Sequence, residues 1–523
     1  MKKKGIILAG FFATIMLTSL AAGVFLRNTP KQSENTELTL TGTPADNFPD
    51  AQRAQFCGSG DAKSTTFVKE YSIPTDCTNP LAIVTDYDGN VWFAQTNTGK
   101  LAKFDPNTES FTEFPNPIWP KHGRSMIWGI DYSPDGSLWF TDESYDSIWK
   151  FSTQDEKYQV MRYPSEGNSL PQKLKVDGSQ IVINDFTGNK ITFLDPTQSN
   201  DNLRYLSIPS PVNGSVTGDF TIDADKNVWY TNWVFQQGGV LVKFDQEGYR
   251  NSIANADGNS LPMLDYVKIF QLPFELFTPN GIVSDNGMIW LADTSNSAVF
   301  NFDPATQQFT QYVTSDPKIS TYGNSTGVIK SPISRPYWIE TNSDGQLVFN
   351  EQTANSIAIL DPKSESLVEY MVPSKNPSWG DCNNIPDCGL AQVFDFTIHG
   401  DKIWFTEWVE NNIGVVDTSI PLPFGIELDS KDISLLPGES KNLSFTISPQ
   451  QDLSDVSLIL SDSSNFLAVT SNVSDSLQLD TPRNVDVTIS ASDDATPGTY
   501  KILLGAQTED VSISKFVTVT VLP

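Results

Sequence analysis

Three segments of the chain can be laid over one another. From Asn79 runs NPLAIVTDYDGNVWFAQTNTGKLAKFDPNTESFTEFP, from Thr278 TPNGIVSDNGMIWLADTSNSAVFNFDPATQQFTQY, and from Ser334 SRPYWIETNSDGQLVFNEQTANSIAILDPKSESLVEYMVP. Each has a short apolar strand, a Gly-containing turn, a second apolar strand rich in Trp or Phe, and a polar turn. A third strand ending near Asp and a fourth short strand follow. Four strands with turn signals, recurring roughly every 40 to 60 residues, are the pattern of a propeller blade, because one such unit cannot bury its faces alone. Seven second strands can be found: VWFAQ, LWFTD, IVIND, VWYTN, IWLAD, LVFNE and IWFTE. The last unit ends at IGVVDTS without a fourth strand. TFVKEYSIP, from Thr66 to Pro74, precedes the first unit and supplies the missing one, which would close the ring and remove an open edge.

The expected fold is therefore all-β: a seven-bladed propeller over residues 65–423, closed by the strand 66–74, followed by a second domain over 424–523. In that last part tryptophan vanishes. Period-two strands appear (NLSFTIS, NVDVTIS, KFVTVTVLP), with turns at LPGES and TPGTY. This reads as an immunoglobulin-like sandwich. It resembles modules appended to exported bacterial and archaeal proteins, which implies a spacer or a site for a cell-surface partner.

The N-terminus addresses the chain. Three lysines precede an apolar run from Gly5 to about Leu26, and residues 1–27 read as a membrane anchor, with a cleaved signal peptide as the alternative. Residues 28–64 are a polar linker. The rest is expected outside the cytoplasm, anchored or secreted. Cys57, Cys77, Cys382 and Cys388 fit that compartment as disulfides, and the local pairing is Cys57 with Cys77 and Cys382 with Cys388. Sequons at Asn213, Asn324, Asn442 and Asn472 point to exposed loops. With 63 acidic against 34 basic residues the formal charge is −29, which excludes nucleic acid as a partner and favours cations, basic partners or plain solubility.

In a blade, the start of strand one and the end of strand two meet at the same mouth of the channel. Collecting the second-strand ends gives Gln95, Asp142, Asp185, Asn232, Asp293, Glu351 and Glu407. Carboxylates facing one another must be protonated, bonded or neutralised, and oxygen ligands suit Ca²⁺ or Mg²⁺. Asp142, Asp185, Asp293, Glu351 and Glu407 are thus candidate metal ligands. The competing reading is a structural ring bonded to backbone. Trp128, Tyr337, Trp233 and Trp408 lie near the same mouth with Asn280 and Arg124. They are candidates to hold a small molecule, a sugar or a peptide, or else to plug the channel. Of the two histidines, His399 falls in a turn on the opposite face. His122, beside Arg124, is the one candidate general base.

WGIDYSPDGSLWFTDESYDSIWKF and IHGDKIWFTEWVENNIGVVD fit the pattern GxIxxxxDGxxWFTExxxNxIxxxD. On these residues the stretch from about 66 to 417 resembles the streptogramin (virginiamycin B) lyase family. The resemblance implies a Mg²⁺-dependent lyase that opens a cyclic depsipeptide ester by elimination, using a histidine at a strand-one start and a nearby glutamate. The corresponding positions here are Leu81, Trp128, Gln172, Gly218, Asn280, Tyr337 and Phe394, and none is histidine. TPNGIVSDNGMIWLADTSN also resembles gluconolactonase-like and regucalcin-like propellers, which implies a divalent cation near Asn280 and Asp293. Three functions follow as expectations: a propeller binding a ligand or cation at its mouth, a metal-dependent lyase or lactonase, and a structural or cell-surface assembly protein.

Overall fold

The computed structural model describes residue 58 and residues 61–523, apart from 121–122, 124, 166, 168, 200–203, 213, 235–237, 255–262, 319–320, 322–332, 378–381, 383–384, 386–387, 463, 465 and 474–475. The N-terminal segment, Cys57, His122, Arg124, Asn213 and Asn324 lie outside the described residues.

Seven antiparallel sheets are arranged as blades. Their inner strands are Pro80–Thr85, Ile130–Ser133, Pro171–Asp177, Val216–Ile222, Pro279–Asp285, Pro336–Thr341 and Val393–His399. The repeated motif has a local cause. In blade one the Asp86 carboxylate accepts the N–H groups of Asp88 and Asn90, so it closes the first turn, and it also takes the indole N–H of Trp92 at 2.9 Å. Asp223 does the same for Asn227 and Trp229 in blade four. The tryptophans so anchored fill the space between blades. Trp92 packs against Phe114 and Phe151, and Trp229 against Phe270 and Phe302. At the ends of the third strands, Asp105 and Asp303 accept N–H and hydroxyl bonds from the next turn, which fixes the return to strand four. Among the described residues no helix is long and apolar enough to cross a membrane.

Blade seven is completed by Val68–Ser72, which pairs antiparallel with Asn412–Asp417. Blade six does not end at its fourth strand. Ser366–Met371 pairs antiparallel with Val511–Val521 of the C-terminal domain, from Ser366 opposite Lys515 to Tyr370 opposite Val511. The second domain is a β-sandwich. One of its sheets continues blade six; the other comprises Phe424–Leu428, Ser440–Pro449, Arg483–Ala491 and Leu467–Ser471. Phe516 lies edge-on to Tyr312 at 5.1 Å, in one core with Leu347, Phe349, Ile459 and Leu503. The sandwich is therefore docked on blade six through a shared sheet and a shared core. Cys382 is bonded to Cys388, and Cys77 is also in a disulfide.

Candidate functional site: the channel mouth

The second-strand ends are fully buried, and each is engaged within its own blade. Asp293 accepts N–H bonds from Phe277, Thr278 and Ser295 at 2.9–3.1 Å. Asp185 accepts those of Leu170 and Gly188, and Asp142 holds Ser125 and the Trp149 indole. Gln95 donates to Glu113 on the outer strand of blade one at 2.8 Å, and Asn232 donates to Thr217. Glu351 accepts from Ser356, and Glu407 from Asn412. Among the described residues no three His, Cys, Asp or Glu side chains are gathered closely enough to hold a metal ion. Asp142, Asp185, Asp293, Glu351 and Glu407, the candidate cation ligands, each brace a hairpin through the bonds above. They do not fit a Ca²⁺ or Mg²⁺ cage, and no chemistry is derived through one.

Burial raises the pKa of each. It lifts Asp142 and Asp293 to about 6 against the pull of their hydrogen bonds, and it raises Asp185 and Glu351. Glu369 rises to about 8 through burial and then the neighbouring Glu351. Glu407 is held well above the ordinary carboxylate range by burial and then by Glu70.

In six blades the inner strand begins with a β-bulge. In blade six Pro336 pairs with Glu351 and Ile339 with Phe349, so Tyr337 and Trp338 together oppose Asn350. The same shift puts Phe394 and Asp395 opposite Thr406, Gln172 and Lys173 opposite Asn184, and Gly218 and Asp219 opposite Thr231. In five of the seven blades the residue before the second-strand end bridges to the next blade. Thr141 bonds Gln172 O at 2.8 Å, Asn184 Gly218 O at 3.0 Å, Thr231 Pro279 O at 2.9 Å, Asn350 Val393 O at 2.7 Å and Thr406 Leu81 O at 2.7 Å. A one-residue offset changes which way every side chain faces.

The bulge residues are what meet across the channel. Lys173 of blade three forms an ion pair with Asp395 of blade seven at 2.8 Å and lies 4.5 Å from the ring centre of Trp338 of blade six. Burial opposes the Lys173 charge, but Asp395 and then Asp219 raise its pKa on balance. Burial pushes Asp395 and Asp219 up to about 6, offset in part by Lys173. Two residues further along the strands, Lys175, Asp131 and Glu340 belong to the same electrostatic network. The sequence signal for this group was present in the charged residues of apolar inner strands, but the bulge hid their common position.

Above the ion pair is an aromatic cluster. Phe394 lies edge-on to Trp128 at 5.7 Å, to Trp408 at 5.5 Å and to Tyr337 at 6.1 Å, and the Trp128 indole donates to Glu143 at 2.7 Å. Trp233 packs on Phe186 at 6.0 Å on another side of the ring, and Asn280 is bonded to Thr294 at 2.8 Å. Trp128, Tyr337, Trp408 and Trp233 are buried; Phe394 keeps partial exposure. His399 ends the inner strand of blade seven on the opposite face, beside Gly89 and in a groove with Tyr71, Lys402 and Trp404.

At the rim, Asn79, Arg335 and Gln392 occupy equivalent positions before the inner strands of blades one, six and seven. All three are left-handed, with φ of 49°, 66° and 56°. Non-glycine residues adopt that conformation at a cost, which three consecutive blades accept at the same mouth. Asn79 donates to Trp408 O at 2.8 Å.

A solved streptogramin B lyase matches the chain at 20% identity over 67% of this chain and 96% of its own, with a TM-score of 0.50. The propeller has the fold of that lyase. A catalytically inactive histidine-to-alanine virginiamycin B lyase from Staphylococcus aureus, solved with quinupristin, matches at 18% identity over 68% of this chain and 99% of its own, also with a TM-score of 0.50. At such identities the likeness to streptogramin B lyases is one of fold alone. No protein-family model matches the chain, and no curated protein does.

Proposed function

We propose that the chain is an exported, membrane-anchored propeller that binds a small organic ligand at the channel mouth bounded by Phe394, Tyr337, Trp408 and Arg335. The bonded cysteines and the apolar N-terminal run support export. The observation that carries the binding reading is the composition of the mouth: packed rings on a closed ionic floor, with Phe394, Arg335 and Gln392 left partly exposed. Such a wall would take the flat body of a ligand, while the Lys173–Asp395 pair links blade three to blade seven beneath it. The sandwich, continuous with blade six, would present the mouth at a fixed orientation to a cell-surface partner.

The lyase alternative draws on fold likeness, and fold does not transfer activity. The test is calorimetry on the full chain in mild detergent with a panel of small aromatic compounds and aryl glycosides. Binding that disappears in Phe394→Ala and in Trp408→Ala supports the mouth. Binding that survives both places the ligand elsewhere.

A further inference from the structure

We propose, building on that ligand-binding reading, that the mouth recognises a monoanionic carboxylate carried on an aromatic or other flat apolar body, and that Arg335 is its anchor. Arg335 has no ion pair or hydrogen bond from its guanidinium to any described residue. Burial lowers its pKa, and its electrostatic neighbour is the Tyr337 hydroxyl, not a carboxylate. A partly buried guanidinium without an acceptor is expensive, because its desolvation is not offset. The left-handed backbone at Arg335, φ 66° followed by Pro336, adds local strain. Nothing in the fold requires arginine there, since Asn79 serves the equivalent position in blade one.

Two further donors belong to residues of the same strand pair. Gln352 donates its backbone N–H to Arg335 O at 3.1 Å, and its side-chain Nε2 is buried without an acceptor. The Trp338 indole N–H is likewise buried without an acceptor, with the Trp338 ring 4.5 Å from that of Tyr337. Orphaned donors on Gln352, which pairs through its backbone with Arg335, and on Trp338, three residues further along the strand, together with an unpaired guanidinium, suit an oxyanion, which a guanidinium can take in two parallel bonds. Charge selects between oxyanions. The floor is already balanced locally by Lys173 with Asp395, while Asp219 and Glu143 also act on Tyr337. Arg335 therefore has one positive charge to offer in a field that is otherwise negative. A carboxylate fits that count, and a phosphate dianion exceeds it. The partly exposed Phe394 ring, edge-on to Tyr337 and Trp408, supplies the surface for the body.

The experiment is calorimetry on the full chain in mild detergent with four probes: benzoate, indole-3-acetate, indole-3-acetamide and phenyl phosphate. The same titrations are run on Arg335→Asn, chosen because asparagine already occupies the matching left-handed position. The acids are expected to bind at least about tenfold more tightly than the amide, the scale of one charge-assisted hydrogen bond. The Asn variant is expected to bind acid and amide alike, with an apo melting temperature equal to or above that of the parent. Equal binding of acid and amide by the parent chain overturns the anion assignment but leaves the mouth reading standing. Tighter binding of phenyl phosphate than of benzoate overturns the carboxylate class. A melting temperature that falls in Arg335→Asn without any change in ligand preference shows a structural arginine and overturns the proposal. No binding of acid or amide up to about 1 mM overturns the proposal, and if the neutral aryl panel also fails, the mouth reading falls with it.

Discussion

Glu407, at the end of the second strand of blade seven, faces Glu70 of the closing strand, 337 residues earlier in the chain, as a buried carboxyl pair. Glu70 accepts bonds from Lys63 N at 2.7 Å and from Ser374 N and Oγ at 2.9 and 2.6 Å, so both its oxygens already hold donors. Glu407 Oε1 has no donor. A proton on Glu407 accounts for both facts. In blade one the same relation is made by an amide, with Gln95 donating to Glu113.

Glu407→Gln should therefore copy the blade-one arrangement and remove the proton from the seam. The Glu407 pKa is raised on folding. Its contribution is complete below the ordinary glutamate value and is lost as pH rises through the folded value. The variant should melt higher than the parent at about pH 8 and show a flatter melting curve against pH. Parallel pH profiles for the two proteins would show that the pair holds no shared proton.

Lys173 faces Asp395 and Asp219, whose pKa values are raised to about 6. Lys173→Met leaves Asp395 buried without its cation and Asp219 with Lys175 alone, at a cost of about 3–5 kcal/mol near neutral pH. The raised values mean that these carboxyls take up protons as pH falls through about 6. The loss should shrink at about pH 5, where the neutral acids no longer need the lysine. Urea melts at the two pH values measure it.

Thr406 bridges blade seven to Leu81 O of blade one at the seam. Thr406→Val keeps the shape, removes the donor and should destabilise by about 1–3 kcal/mol, because the Leu81 carbonyl is left buried. The residues equivalent to Thr406 in blades one and five are Ala94 and Ala292, so a threonine there is a second, opposite test. Ala292→Thr gains stability only where the bridging geometry is general.

Blade six and the sandwich share a sheet and a core, so they should unfold together. Differential scanning calorimetry of the full chain is expected to give one transition. Ending the chain at residue 423 exposes the Ser366–Met371 edge and should cause aggregation. Two resolved transitions, or a well-behaved truncated chain, would show that the joint carries little stability.

The blades were legible because their signals are local. Asp86 with Trp92, and Asp223 with Trp229, act within six residues, so each repeat carries its own turn and its own core residue. The mouth was not. Collecting the second-strand ends placed Asp142 to Glu407 at the mouth, whereas the bulges at Tyr337–Trp338 and Phe394–Asp395 turn other residues toward one another across the channel. Trp128, Tyr337 and Trp408 were singled out by position, at strand-one starts or directly after a second-strand end, and they gather around Phe394. Arg335 and Lys173 carry no such mark, and their roles follow from what opposes them. The pairing of Ser366 with Lys515 likewise has no local signal, being a contact between strands far apart in sequence.

The central claim is that ligand recognition occurs at the mouth between Arg335, Tyr337 and Phe394. A crystal structure of the full chain with indole-3-acetate tests it most directly. The account predicts the carboxylate on the Arg335 guanidinium, with the ring against Phe394 and Tyr337. The acid bound in the groove beside His399, Tyr71 and Trp404 on the opposite face, with Arg335 untouched, would contradict it.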